Sequence, residues 1–315
     1  MTLKIFLAIA CAGLMSQGPH AEPTQPPAVA PVVQQKSFPT PEAASEALVA
    51  AAERFDVAAL LEIVGPDGED LVVTQDPVLD KKHAEDFVTR AHERMKIVKD
   101  PNKPNVAIMT LGEEDWPAPI PIVKKGGVWR FDSKAGRAEV LYRRIGANEL
   151  NAIGVCRGYV EAQFDYASEP HDGASVNQYA RRIISTPGKQ DGLAWRDSAG
   201  IWQGPVGEDI AKVIAEGYHE RYDPFHGYYF KILKGQGPAA PMGEMDYMVK
   251  GLMIGGFAMV AAPADYLVTG VMTFIVSNTG VVYQKDLGPK SVDQFRAMER
   301  FNPDPTWKPV TTPQP

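Results

Sequence analysis

The chain has 315 residues, of which 44% are hydrophobic and 23% charged. That suffices for one large packed domain or two ordinary ones and excludes a globally disordered chain. A formal net charge of −7 argues against nucleic-acid binding, which needs a basic face, and against adhesion to an anionic membrane surface.

The chain begins MTLKIFLAIACAGLMSQGPHAEP. Lys4 precedes an apolar run, residues 5–15, of secretory-leader length and too short to span a bilayer. A leader over residues 1–21 and export are therefore expected, with a lipidated Cys11 as the alternative use of this segment. No later stretch reaches ~18 uninterrupted apolar residues, so no membrane span is expected in the mature chain. Cys156 then remains alone. It excludes an internal disulfide and reads as a small apolar residue on a helix face.

Residues 22–38 are proline-rich and aperiodic, an extended linker. A helix is expected from Thr40, its N-cap, with Pro41 in the first turn. A second runs from Asp56 to Gly65. DPVLDKKHAEDFVTRAHERMKIV reads as a third, with Phe87, Ala91 and Met95 on one face. The period then changes: NVAIMTLG reads as a strand and PIPIVKKGGVWRFD as a hairpin. Residues 39–133 are thus expected to form a small α+β domain, in the element order of nuclear-transport-factor-like folds.

The tract after Lys134 is the longest helical pattern, re-capped at Asn148 after Gly146, with Ile153, Cys156, Val160 and Phe164 on one face. Strands follow at YYFKILKG, GGFAMVAAPAD, VTGVMTFIVSN and VVYQKDLG, the last two joined by a turn at Asn278-Thr279-Gly280. A short helix, SVDQFRAMERF, leads to a proline-rich tail, residues 302–315. Residues 134–301 are expected to lay a long helix on an antiparallel sheet, giving an α+β chain overall.

One stretch concentrates the side chains of catalysis. HERYDPFH holds His219, Glu220, Asp223 and His226, one residue away from the HExxH pattern of zinc peptidases. Here Asp223 takes the fifth position and Pro224 interrupts any helix, so His219, Asp223 and His226 would converge as metal ligands only from a loop. The competing reading is a turn whose histidines pack locally. His92-Glu93 starts the same pattern with Lys96 in the wrong place. GQGPAA satisfies a dinucleotide fingerprint formally, but Pro238 and Pro241 remove the amide donors a pyrophosphate needs, so no cofactor is expected. Glu69-Asp70 and Glu113-Glu114 read as solvated turn charges. Trp116, Trp129 and Trp202 read as core, or as a sugar-binding surface.

Several long motifs occur in order: EDWPAPIPIVKKGGVWRFDSKAG, RRIGANELNAIGVCRGYVEAQFDYA, FHGYYFKILKGQGPAAP and IGGFAMVAAPADYLVTGVMTFIVSNTGVVYQKDLGP. They resemble the bacterial exported domain-of-unknown-function family 2950 from Phe38 to about Phe301. The resemblance implies export and a shared architecture, and no activity. From Asn148 on, the chain is also similar to the head domains of type IV pilins and pseudopilins. The matching pieces are Asn148-Glu149 with Tyr159, Gly227-Tyr228 with Phe230, Phe257 with Pro263, and Thr269-Gly270 with Phe274. That likeness implies the helix-on-sheet arrangement. Pilins, however, carry a hydrophobic first half of the helix where this chain carries an α+β domain.

These features point to a non-enzymatic envelope module with an unidentified envelope protein as its partner. The alternative is a periplasmic hydrolase or small-ligand or metal binder, using an inter-domain pocket or the loop of His219, Asp223 and His226.

Overall fold

The computed structural model describes residues 35–73, 77–207 and 224–311. The chain is α+β, and every sheet pairing within its two larger sheets is antiparallel.

Helix α1, Pro41–Glu53, begins where Thr40 accepts a hydrogen bond from the Ala43 N–H, at 3.1 Å. Asp56 caps α2, Val57–Val64, in the same way through Ala59, and Gly65 ends it at φ 80°. A short α3, Glu69–Val72, precedes α4, Pro77–Glu93. The third helix is shorter than its apolar spacing suggests. Met95–Asp100 is strand β1, because the β-branched pair Ile97 and Val98 finds a ladder on β2, Lys103–Leu111. Strand β3, Trp116–Pro117, pairs with the end of β2. Strands β4, Ile122–Lys125, and β5, Val128–Phe131, form the expected hairpin, with Gly126 and Gly127 both at positive φ. The helices cover one face of this sheet, burying Ala44, Leu60, Ile122 and Phe131 among others.

Helix α5, Ser133–Tyr166, runs unbroken for 34 residues, about 51 Å at the α-helical rise. Asp132 caps it. Asn148 does not re-cap it, since its side chain reaches out to the Thr269 carbonyl instead. The first turns dock on the helical layer before it. Ser133 Oγ donates to the Val64 carbonyl at 2.7 Å, and Arg137 clasps Asp70 at 2.6 Å. Gly136 faces Ile120 so closely that a Cβ there would stand 2.8 Å from the Ile120 side chain. The later turns bury Ala152, Cys156, Tyr159, Ala162 and Tyr166 in a second core. Phe164, expected on the buried face, lies at its exposed edge against Tyr179 and Phe257.

That second core belongs to a five-stranded sheet ordered β18-β16-β15-β14-β9. Its strands are β9, Tyr228–Leu233; β14, Ala258–Pro263; β15, Met272–Ser277; β16, Val282–Asp286; and β18, Lys308–Pro309. All six residues of β14 are buried, because α5 covers one face and α6, Ser291–Ala297, packs on the other. The proline-rich tail contributes to this sheet: Trp307 is buried and β18 pairs with β16. Beside it, β6, Arg182–Ile184, β7, Gly192–Arg196, and β8, Trp202–Gln203, make a small separate sheet. In the GQGPAA loop, β10, Gly235–Gln236, lies between β11, Met245–Asp246, and β17, Arg300–Phe301, and the nearby β12, Met248–Val249, pairs with β13, Leu252–Met253. A Cβ on Gly235 would meet Arg300 at 2.7 Å and one on Gly237 would meet Asn302 at 2.6 Å, so these glycines admit a neighbouring strand.

Candidate functional site

Of the three metal-site candidates, His219 and Asp223 lie outside the described residues. His226 is exposed and sits in a tight turn. Phe225 and Tyr228 exchange backbone hydrogen bonds at 2.9 and 3.0 Å, and the two residues between them have φ 47° and 74°. Positive φ at both central positions is the signature of a type I′ turn, so His226-Gly227 occupies the place usual for Asn-Gly. Its ring stacks edge-on against Phe225, 4.3 Å between centroids. Among the described residues no group of three or more His, Cys, Asp or Glu side chains is arranged to hold a metal ion.

The turn is held by α5. Gly227 touches the Asn148 amide and Thr269, and a Cβ there would come within 2.7 Å of the former. Asn148 Nδ2 donates to the Thr269 carbonyl at 2.9 Å. Next to it, Glu149 Oε1 accepts the N–H groups of Val271 and Met272 at 2.9 and 3.0 Å. Tyr228 donates its hydroxyl to the Met272 carbonyl at 2.9 Å and lies flush against Gly270. Two adjacent side chains in the middle of α5 thus pin the starts of β9 and β15. The sequence shows these residues but not this use of them, which depends on partners about 120 positions away.

One helical turn on, α5 presents a groove of about 610 Å³. Its floor follows Leu150, Gly154 and Gly158, spaced by four and so on one face of the helix. A Cβ built on either glycine meets nothing within 4 Å. Ile183, Leu193 and Val206 form one wall and Phe225, Phe230 and Met259 the other. Asn151, Glu161, Asp165 and His226 complete the lining with polar groups. Gly207 directly precedes the stretch 208–223, outside the described residues, and Pro224 separates that stretch from Phe225.

The reactive-type groups beneath the groove are locked in. Burial pushes the Cys156 thiol up to about 12, so at neutral pH it is protonated and a poor nucleophile. The Tyr159 hydroxyl is raised by burial too; it donates to the Ala258 carbonyl and accepts from Gln163.

A polar recess of about 600 Å³ lies past the end of α5. His171 stacks on Tyr166, 3.8 Å between centroids, and its Nε2 pairs with the Tyr166 carbonyl at 2.8 Å. Asp191, 6% exposed, accepts from the Thr186 N–H and hydroxyl and from Arg181, at 2.7, 3.0 and 2.9 Å. Burial alone would raise this carboxyl, but those donors outweigh it and hold it below the usual aspartate range. The surroundings of His171 and Asp191 are not legible in the sequence, since the first pairs with the end of α5 and the second with Arg181 and Thr186.

The other sequence candidates disperse. His92 pairs with Glu53 at 2.7 Å, and Asp70 with Arg137. Glu113 and Glu114 are exposed and Trp129 is core. Trp116 and Trp202 each carry an arginine over the ring, Arg143 at 4.7 Å and Arg196 at 4.6 Å.

With this geometry in view, comparison with protein families decides the classification. A family model described as a protein of unknown function, DUF2950, matches residues 35–310. The chain belongs to the DUF2950 family. The match takes in both five-stranded sheets and all of α5. No curated protein and no solved structure matches the chain.

Proposed function

We propose that this DUF2950 protein is an exported bacterial envelope protein that works by binding rather than by catalysis. Its pilin-like C-terminal unit offers the α5 groove to a partner protein. The observation that carries this reading is the groove floor: Gly154 and Gly158 leave the helix backbone bare between apolar walls. A packed partner segment gains most from such a surface, because close backbone approach adds dispersion contacts that a Cβ would block. The basic n-region and apolar run of the leader support export. The first half of α5 is docked on an α+β layer, which supports a soluble binding role over the polymerisation that a free hydrophobic half-helix would drive.

The test fills the groove. Gly154→Leu and Gly158→Leu, purified beside the unaltered chain, are compared for capture of envelope proteins, with Tyr142→Ala as an exposed control on the same helix. A protein retained by the parent chain and by Tyr142→Ala, and lost from both leucine variants, supports the reading. An identical retained set in all four contradicts it. Metal analysis of protein purified without chelator addresses the competing hydrolase. Stoichiometric zinc that is lost in His226→Ala would overturn a purely binding role.

A further inference from the structure

The core of the first unit is divided. One buried cluster holds Ala52, Leu60 and Phe131 and a second holds Met109 and Ala118, while Leu48 and Phe87 pack against both. Between them lies a pocket of about 200 Å³ touching all seven residues. A core of this size normally closes to crystal-like density. The gap survives because alanines stand where larger side chains would meet: Ala52 on α1, Ala84 on α4 and Ala118 after β3.

The two ends of the pocket carry different side chains. Asp80, 5% exposed and itself engaged, lines it near the start of α4. At the other end stands Trp116, 40% exposed, with the guanidinium carbons of Arg90 and Arg143 over its ring at 5.8 and 4.7 Å. Arg143 is committed to Glu139 and to the Pro117 carbonyl, each at 2.8 Å. Arg90 makes its contact with the Trp116 ring and faces the same way as His83 and Phe87, which line the pocket at i−7 and i−3 on α4. Asp80 and Arg90 are ten residues apart, about 15 Å along the helix.

We propose that this pocket binds a small monocarboxylate with a single-ring aromatic or branched aliphatic body. A cavity of about 150 Å³ holds benzene, so this one admits a ring with a short tail, about ten non-hydrogen atoms. The apolar body occupies the space between the two clusters. The carboxylate lies at the mouth, where Arg90 provides a charge-assisted donor and Trp116 an aromatic wall. This site is independent of the α5 groove and does not rest on it.

The experiment uses the full ¹⁵N-labelled chain, titrated separately with 3-phenylpropanoate and with its neutral counterpart, 3-phenylpropan-1-ol. Saturable shifts are expected at the Trp116 indole N–H and at the backbone of Phe87, Met109 and Ala118. The carboxylate should bind about tenfold tighter than the alcohol. Arg90→Ala should reduce that preference to about twofold or less. Ala118→Leu should abolish binding of both probes, and Ala84→Leu, on the opposite wall, does the same if Ala118→Leu fails to fold. Saturable carboxylate binding lost in a leucine variant supports the proposal. Absence of saturable shifts up to about 10 mM, shifts confined to residues outside the pocket, or equal affinity for the two probes overturns it.

Discussion

The Glu149 carboxylate accepts the backbone N–H of Val271 at 2.9 Å, across 122 positions of sequence. The same oxygen accepts from Met272, so one helical side chain satisfies the first donor of β15 and the donor just before it. Hydrogen bonds to an ionised acceptor each contribute about 1.5–3 kcal/mol. Glu149→Ala, which removes both, should therefore cost about 3–6 kcal/mol, and Glu149→Gln, which keeps one acceptor oxygen, roughly half of that. Urea unfolding of the two variants beside the parent chain checks this. Equal midpoints for all three would remove Glu149 from the account of how α5 holds the sheet.

His226 and Gly227 should respond in opposite ways. His226→Asn keeps a residue that tolerates positive φ and should leave stability within about 0.5 kcal/mol. Gly227→Ala adds a Cβ at φ 74° against Asn148 and Thr269 and should cost about 2 kcal/mol or more. Thermal melts of both variants, with and without zinc, read the turn and the metal alternative together. A zinc-dependent rise in the parent melt that disappears in His226→Asn would show the histidine acting as a ligand and not as a turn residue.

What the sequence revealed and what it hid follow from range. Thr40 and Asp56 announced their helices because a cap acts within three residues. The Gly126-Gly127 hairpin was equally local. The third helix was drawn too long because Met95 keeps the helical spacing of Phe87 and Ala91. What converts it to strand is pairing with Leu111, which no local pattern shows. Gly146 and Asn148 suggested a break in α5, yet tertiary contacts along both halves carry the helix through. At the candidate site, nothing in the local sequence marks Gly154 and Gly158 as a groove floor. Their exposure depends on walls from β6, β7 and β9 that only the fold assembles.

Asp191 gives the molecule an acid-sensitive point. Its folded value lies below its unfolded one, so the contribution is fully present above about pH 5, past the unfolded aspartate value, and is lost as pH falls through the folded value. The stability difference between the parent chain and Asp191→Asn should be constant above about pH 5 and should shrink at lower pH. Denaturant unfolding across that range measures it. A difference that grows on acidification would reverse the sign assigned to this carboxylate.

Cys156 should be silent in the native state. Its thiol is buried and shifted up to about 12, so iodoacetamide at pH 8 should leave the Cys156 peptide unmodified and label it fully in denaturant. Peptide mass spectrometry gives the site-resolved result. Native labelling within minutes would mean that α5 leaves the sheet far more readily than its buried stripe implies.

The binding role of the α5 groove is tested most directly by a photo-crosslinking residue at position 150 compared with one at position 142. Leu150 and Tyr142 are equally exposed, at 67%, on the same helix, but only Leu150 borders the groove. Irradiation of the full chain in its native cells should link position 150 to a second protein and leave position 142 unlinked. Equal products from both positions, or links from position 150 only to the chain's own stretch 208–223, would contradict the account.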